Sequence, residues 1–310
     1  MARNFAWLLV IIAGLWQIPV FAAEPLVDVA WLKTHIGAPG MVILDLRPSR
    51  GQYMQGHIPG AVYTDYNRDG WREKTAGGID AMLPPPDKLE KLIGGLGIDN
   101  ETHVVLAPAG QNAADMGTAT RIYWTFKVVG HDNVSILDGG FLAWIDPTDT
   151  QKQPINAIDA SDIRLPAKHF NARLRPEMIV GKADVQKAVA GKAVLIDNRP
   201  PDFYLGITKN GTTQKAGTIP GAQSIPESWL TLNNGGKFRS KTQLANLYRA
   251  ANVPTTGDQI SFCNTGHWAS LGWFASSEIL GNKAARMYDG SMAEWSADPS
   301  LPVEVKVKAE

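Results

Sequence analysis

Short, unbroken apolar runs alternate along this chain with longer stretches in which apolar positions recur every three or four residues. The runs Met41–Leu46, Val62–Thr64, Val104–Leu106 and Val134–Leu137 predict strands, and Asp87–Leu96 and Met116–Val129 predict helices between them. The succession then returns, with strands over Ala193–Ile196, Gln223–Ile225, Ile260–Phe262 and Arg286–Tyr288 and helices over Lys241–Ala251 and Ala269–Leu280. Strands that read as continuous apolar runs separated by helices predict an α/β fold, a central parallel sheet flanked by helices on both faces. In such sheets the ligand crevice lies at the carboxyl ends of the strands.

The pattern is written twice in detail as well as in outline. Val42-Ile-Leu-Asp45-Leu-Arg47 recurs as Val194-Leu-Ile-Asp197-Asn-Arg199, each an apolar strand ending in Asp-x-Arg. Gly56-His-Ile-Pro-Gly-Ala61 recurs as Gly217-Thr-Ile-Pro-Gly-Ala222, and Asp138-Gly-Gly-Phe-Leu-Ala-Trp144 as Asp289-Gly-Ser-Met-Ala-Glu-Trp295. Three matches in the same order identify a tandem duplication. The expected organisation is a first domain over 24–148, a linker rich in Pro, Asp, Lys and Ala over 149–176, and a second domain over 177–304.

Ahead of the first domain, residues 1–22 predict a signal peptide: Arg3, an apolar core from Phe5 to Trp16, and Val20-Phe21-Ala22 at the cleavage site. The core is too short to span a bilayer comfortably, so no stable membrane insertion is expected once it is cut. The expected location is the periplasm or the exterior. Thirty basic residues balance thirty acidic ones with no basic stripe, which argues against a nucleic-acid partner. The six histidines show no metal-ligand spacing and no companion cysteines, so neither a metal nor another cofactor is expected.

One cysteine remains in the whole chain, and an exported protein with a single thiol must either bury it or use it. Cys263 stands where the strand Ile260–Phe262 ends, followed by Asn264-Thr265-Gly266-His267-Trp268 and then a helix. Such a loop can curl its backbone N–H groups around the sulfur while the helix adds its positive end, and both favour the reactive thiolate. The first domain has Ala107 at the equivalent position, and its stretch from Ala107 to Gly130 is five residues longer than that from Cys263 to Gly281. One half keeps a nucleophile; the other serves as scaffold. A thiolate so held could take a sulfur atom as a persulfide and pass it on, although the pattern alone also fits a phosphatase or arsenate-reducing loop.

The Asp-x-Arg strand end, the Gly-(His/Thr)-Ile-Pro-Gly-Ala turn, the Cys-x-x-Gly-x-x-Ala loop and the Asp-Gly-x-x-x-Trp segment resemble the rhodanese family. Two copies with the cysteine only in the second are similar to its tandem-domain thiosulfate and 3-mercaptopyruvate sulfurtransferases. The resemblance implies Cys263 as the persulfide-forming catalytic residue, Asn264 to Trp268 as the anion-cradling loop, Arg199 in substrate binding and Asp197 in support. It implies a small-molecule sulfur donor, thiosulfate, and a thiol or cyanide acceptor. A 3-mercaptopyruvate donor, and a non-catalytic sulfur-carrier module, stand as alternatives. Phosphatase loops close on an arginine that this chain lacks, having Ala269 and Ser270 there. Departures from the family are Asn264 and Thr265 where thiosulfate-selective members carry cations, and Phe203 where tandem members carry arginine. His267, Arg199 and Lys215 are the candidate replacements for the missing charge.

Overall fold

The computed structural model describes residues 23–145 and 156–308. The expected leader, residues 1–22, lies outside them, as does the beginning of the expected linker. Among the described residues no helix is long and apolar enough to cross a membrane.

The first lobe runs β1 (Leu26–Val27), α1 (Val29–His35), β2 (Met41–Asp45), α2 (Arg50–Gln55), β3 (Val62–Tyr63), α3 (Pro86–Gly95), β4 (His103–Ala107), α4 (Ala113–Val128), β5 (Val134–Leu137) and α5 (Gly140–Ile145). The second repeats it with β6 (Ile179–Val180), α6 (Lys182–Val189), β7 (Val194–Asp197), α7 (Pro201–Leu205), β8 (Gln223–Ser224), α8 (Lys241–Ala250), β9 (Gln259–Phe262), α9 (His267–Phe274), β10 (Ala285–Tyr288) and α10 (Ser291–Ala297). Each lobe holds a five-stranded parallel sheet, ordered β1-β5-β4-β2-β3 and β6-β10-β9-β7-β8. The sequence predicts four strands per lobe, and the fifth in each is an edge strand of two residues, too short to leave an apolar period. In the centre, Leu44 stands beside Leu106 and Leu195 beside Ile260, so the continuous apolar runs are buried on both faces.

The lobes meet through α4 and α9. Three quarters of the positions of both helices are buried, because each packs on its own sheet on one side and on the other helix opposite. Met116, Ile122 and Trp124 of α4 share one apolar cluster with Leu271 and Phe274 of α9, and the Tyr123 ring meets the Phe274 ring edge-on at 5.0 Å. Each such fully buried side chain contributes roughly 1.5–3 kcal/mol. Thr120 and Ser270 hydroxyls, 2.8 Å apart, satisfy each other within this contact. α9 starts at His267, two residues earlier than its apolar pattern predicts, and relaxes into a π-turn over Ala275–Ile279.

The described part of the linker, residues 156–175, is strapped along the first lobe. His57 exchanges backbone hydrogen bonds with Asp159 (2.8 and 2.9 Å), Arg173 N–H donates to Val129 O (2.8 Å), and Phe170 is buried. The C-terminal tail does the same for the second lobe, with Thr218 exchanging bonds with Glu304.

Candidate active site

β9 ends at Phe262, and the chain turns at once, so Cys263 sits at the carboxyl edge of its sheet. Its residue is 1% exposed and belongs to the core shared by the lobes, yet it lines a cavity of about 390 Å3 between them. The second lobe contributes Asn210, Asn264, Thr265, His267 and Trp268 to the walls. The rest comes from the first lobe: Tyr66, Asn67 and Arg72 from the β3–α3 connection, and Ala114, Asp115 and Thr118 from the start of α4. The half expected to be scaffold therefore builds one side of the site.

The loop after Cys263 is held from below by the last helix. Met292 N–H donates to Cys263 O (3.0 Å) and Ala293 N–H to Asn264 O (2.9 Å), which uses two of the amides a helix N-terminus leaves unpaired. Phe141 and Leu142 do the same for Pro108 and Ala109 in the first lobe, which explains why the Asp-Gly-x-x-x-Trp segment recurs. Ser291 Oγ accepts from Cys263 N–H (3.1 Å) and Gly266 N–H (3.2 Å) and donates to Tyr288 O (2.9 Å). Among the described residues no loop amide donates to Cys263 Sγ. The expected curl of backbone N–H groups around the sulfur is thus corrected: a serine hydroxyl takes two donors, while the amides of Asn264, Thr265, His267 and Trp268 have no partner among the described residues. Ser291 itself holds φ 49°, matching φ 57° at Gly140 in the first lobe. A serine kept where its sibling is glycine is the sequence signal for it, since that region costs a side chain roughly 1–2 kcal/mol.

Gly266 takes φ +77°, and a Cβ there would run into Arg121 Nη1 and approach Asp289 Oδ1 to 2.9 Å. Only glycine fits. Asp289 stands just ahead of α10, whose N-cap is Gly290. Its carboxylate accepts Arg121 Nη1 (2.5 Å) and Leu83 N–H (2.7 Å), both from the other lobe. The first lobe answers in kind: Asp138 accepts the Phe238 N–H of the second (2.9 Å).

His267 also reaches across. Its Nε2 lies 2.9 Å from Ala114 O, which can only accept, so Nε2 carries the proton and Nδ1 accepts from Tyr66 Oη at 3.1 Å. Although one edge faces the cavity, burial first, then Arg72, push its pKa down to about 3, so the ring is neutral. Gly117 makes room for it, since a Cβ there would come within 2.8 Å of Nε2.

Of the remaining expected residues, Thr265 is a half-buried wall residue, and Asn264 is buried with Oδ1 3.4 Å from Arg199 Nη1. Trp268 is half-buried, its ring 6.4 Å from that of Phe203. Arg199, expected to bind substrate, lies off the cavity wall. It is 1% exposed and donates to Asp197 (Nε 2.9 Å, Nη2 2.6 Å) and to Gly217 O (2.8 Å), so its charge is spent bracing the strand end. Thr218 Oγ1 completes the Asp197 carboxylate at 2.7 Å. Arg47 and Asp45 form the same pair in the other lobe. Lys215 Nζ is likewise committed, to the carbonyls of Asp298 (2.9 Å) and Leu301 (2.8 Å). Tyr66, Arg72, Arg121 and Ser291 are the site residues that the sequence reading does not single out.

Compared with known proteins, residues 28–147 and 182–298 each match the family described as Rhodanese-like domain. A protein of Mycolicibacterium smegmatis named provisionally as a thiosulfate sulfurtransferase is 30% identical over 91% of the chain and 98% of its own length. The sulfur carrier protein TtuD of Thermus thermophilus is 30% identical over 90% of the chain and 96% of its own length. Among solved structures, wild-type EanB superposes with a TM-score of 0.77 at 23% identity, covering 92% of the chain and 70% of EanB. The anaerobic ergothioneine biosynthesis enzyme from Chlorobium limicola, bound to trimethyl histidine, gives 0.77 at 22% identity, with 92% and 71% covered. Both structures share the fold.

Proposed function

Because the chain belongs to the rhodanese-like family, a family of sulfurtransferases, we propose that it moves the sulfane sulfur of thiosulfate to a thiophilic acceptor through a persulfide on Cys263. The observation that carries this reading is the placement of the lone thiol on the wall of a cavity whose loop retains uncommitted amides. The Cys263 thiolate attacks the outer sulfur of thiosulfate; the S–S bond of the donor breaks and sulfite leaves with the bonding pair. Cyanide carbon, or a thiolate, then attacks that outer sulfur, and the Cys263 thiolate leaves. The unpartnered loop amides are available to the charge that develops on the sulfur being transferred, because fixed donors need no reorganisation. In this reading Asn264, Thr265 and Trp268 shape the pocket, and Arg199 with Asp197 holds the loop in place. The leader over residues 1–22 would deliver the enzyme to the periplasm or exterior, where inorganic sulfane donors are met; the mature protein is then expected to begin at Ala23.

The test is intact-protein mass after incubation with thiosulfate. The wild-type chain should gain the mass of one sulfur atom and Cys263→Ala none, and cyanide should then release thiocyanate and restore the starting mass. A thiosulfate-treated wild-type protein that gains no sulfur overturns the donor assignment, and equal turnover by Cys263→Ala overturns the persulfide. Two neutral residues after the cysteine, together with the likeness to a protein named as a sulfur carrier, favour a second reading in which the chain receives sulfur from a partner. Loading once without turnover on thiosulfate or 3-mercaptopyruvate would select it.

A further inference from the structure

Each lobe sends the connection after its third strand across the other lobe, and over the cysteine that connection brings a cation. We propose that Arg72, donated by the lobe without a nucleophile, binds the oxyanion group of the sulfur donor; this rests on the sulfur-transfer reading above.

Arg72 shares a cavity wall with Cys263, although 191 positions of sequence numbering separate them. Its guanidinium lies 4.1 Å from the centre of the Tyr66 ring and, among the described residues, gives one hydrogen bond, Nη2 to Asn67 Oδ1 at 2.8 Å. These contacts fix the plane of the group without neutralising it. Among the described residues it forms no ion pair, and its Nε is buried with no partner. A guanidinium held in place without a carboxylate, on the wall of the cavity that also holds the thiol, points to an anionic ligand.

The other cations near the loop are already spent. Arg199 is held by Asp197, Arg121 by Asp289, and Lys215, which does not line the cavity, by main-chain carbonyls. The remaining charge on the wall is Asp115, whose Oδ2 accepts Gln111 N–H at 2.9 Å, and His267 is neutral. Arg72 therefore replaces in space the cations that positions 264 and 265 lack in sequence. It suits a donor in which the transferable sulfur is attached to a sulfonate or carried beside a carboxylate, since a guanidinium grips either. Its role is to hold the donor, and no bond to it is made or broken.

The test uses full-length protein and two pairs of probes. Iodoacetate and iodoacetamide alkylate the same thiolate and differ in charge, so their rate ratio at Cys263, set against glutathione, reports a cation in the pocket whatever the natural reaction is. The wild-type ratio should exceed that of glutathione, fall with added salt, and drop about tenfold in Arg72→Gln. Arg72→Lys should retain most of it. With sulfur donors, Arg72→Gln should raise KM about tenfold with kcat little changed, the mark of lost ground-state binding. Whether thiosulfate or 3-mercaptopyruvate shows the larger KM change tells which oxyanion is held. A wild-type ratio no higher than that of glutathione overturns the proposal, as does a folded Arg72→Gln with unchanged ratio and KM. If the wild type loads sulfur from neither donor, the sulfur-transfer reading fails while the alkylation ratio still judges the cation. Should Arg72→Gln not fold, the salt dependence of the wild-type ratio decides.

Discussion

At the scale of single residues, His267 illustrates how a candidate for the missing positive charge becomes a neutral tie between the lobes. An imidazole that donates to a carbonyl through one nitrogen and accepts a phenol proton through the other is neutral by construction, and protonating it costs the Tyr66 bond. The consequence for stability has a definite sign. The unfolded imidazole takes a proton near pH 6.5, whereas the folded one holds out to about 3. Its contribution is whole above about pH 6.5 and is lost as pH falls through that window toward 3, because only the unfolded chain binds the proton there. Burial pushes His103 and His131 the same way, so the informative quantity is a difference. The denaturant midpoint of the wild type should fall more steeply between pH 6.5 and 4.5 than that of His267→Gln. Parallel curves would mean that the ring is not held neutral.

At the scale of elements, the strands and helices of the two sheet centres are legible in the sequence because burial on both faces writes itself as continuous apolar runs. β4, β5, β9 and β10 each lie at or within a residue of their apolar runs. The edge strands β1 and β6 escape because two residues carry no period. Cys263 is legible too, since a strand, a thiol and a glycine at left-handed φ are all local features. Arg72 and Tyr66 are not legible, because nothing within the β3–α3 connection says that it will lie over another lobe's loop. Arg199 misleads for the opposite reason: Asp-x-Arg looks like a binding signature, and its presence in both lobes reflects a shared structural need. The Asp289 carboxylate shows the same logic in energy. It is buried against Arg121 of α4, so Arg121→Met leaves a carboxylate without its counter-charge and should cost about 3 kcal/mol of stability in urea unfolding. Adding Asp289→Asn should recover part of the loss, since the stranded charge is then gone. A single variant as stable as the wild type would show that the pair contributes nothing.

At the scale of the whole molecule, the α4–α9 contact, the Thr120–Ser270 hydroxyl pair and the Asp138 and Asp289 links make the two lobes one cooperative body. Heat should therefore unfold the chain in a single transition, with calorimetric and van't Hoff enthalpies in agreement. Two resolved transitions would contradict a shared core.

The reciprocity of Asp138 with Phe238 and Asp289 with Leu83 has a historical reading. Contacts in which each partner gives what it receives are the signature of isologous pairing between identical subunits. A one-lobe ancestor dimerising through the helix now called α4 would have possessed two equivalent reactive centres, each finished by its twin. Joining such twins in one polypeptide would have freed them to diverge, so that one could do without a thiol while still walling the other's cavity.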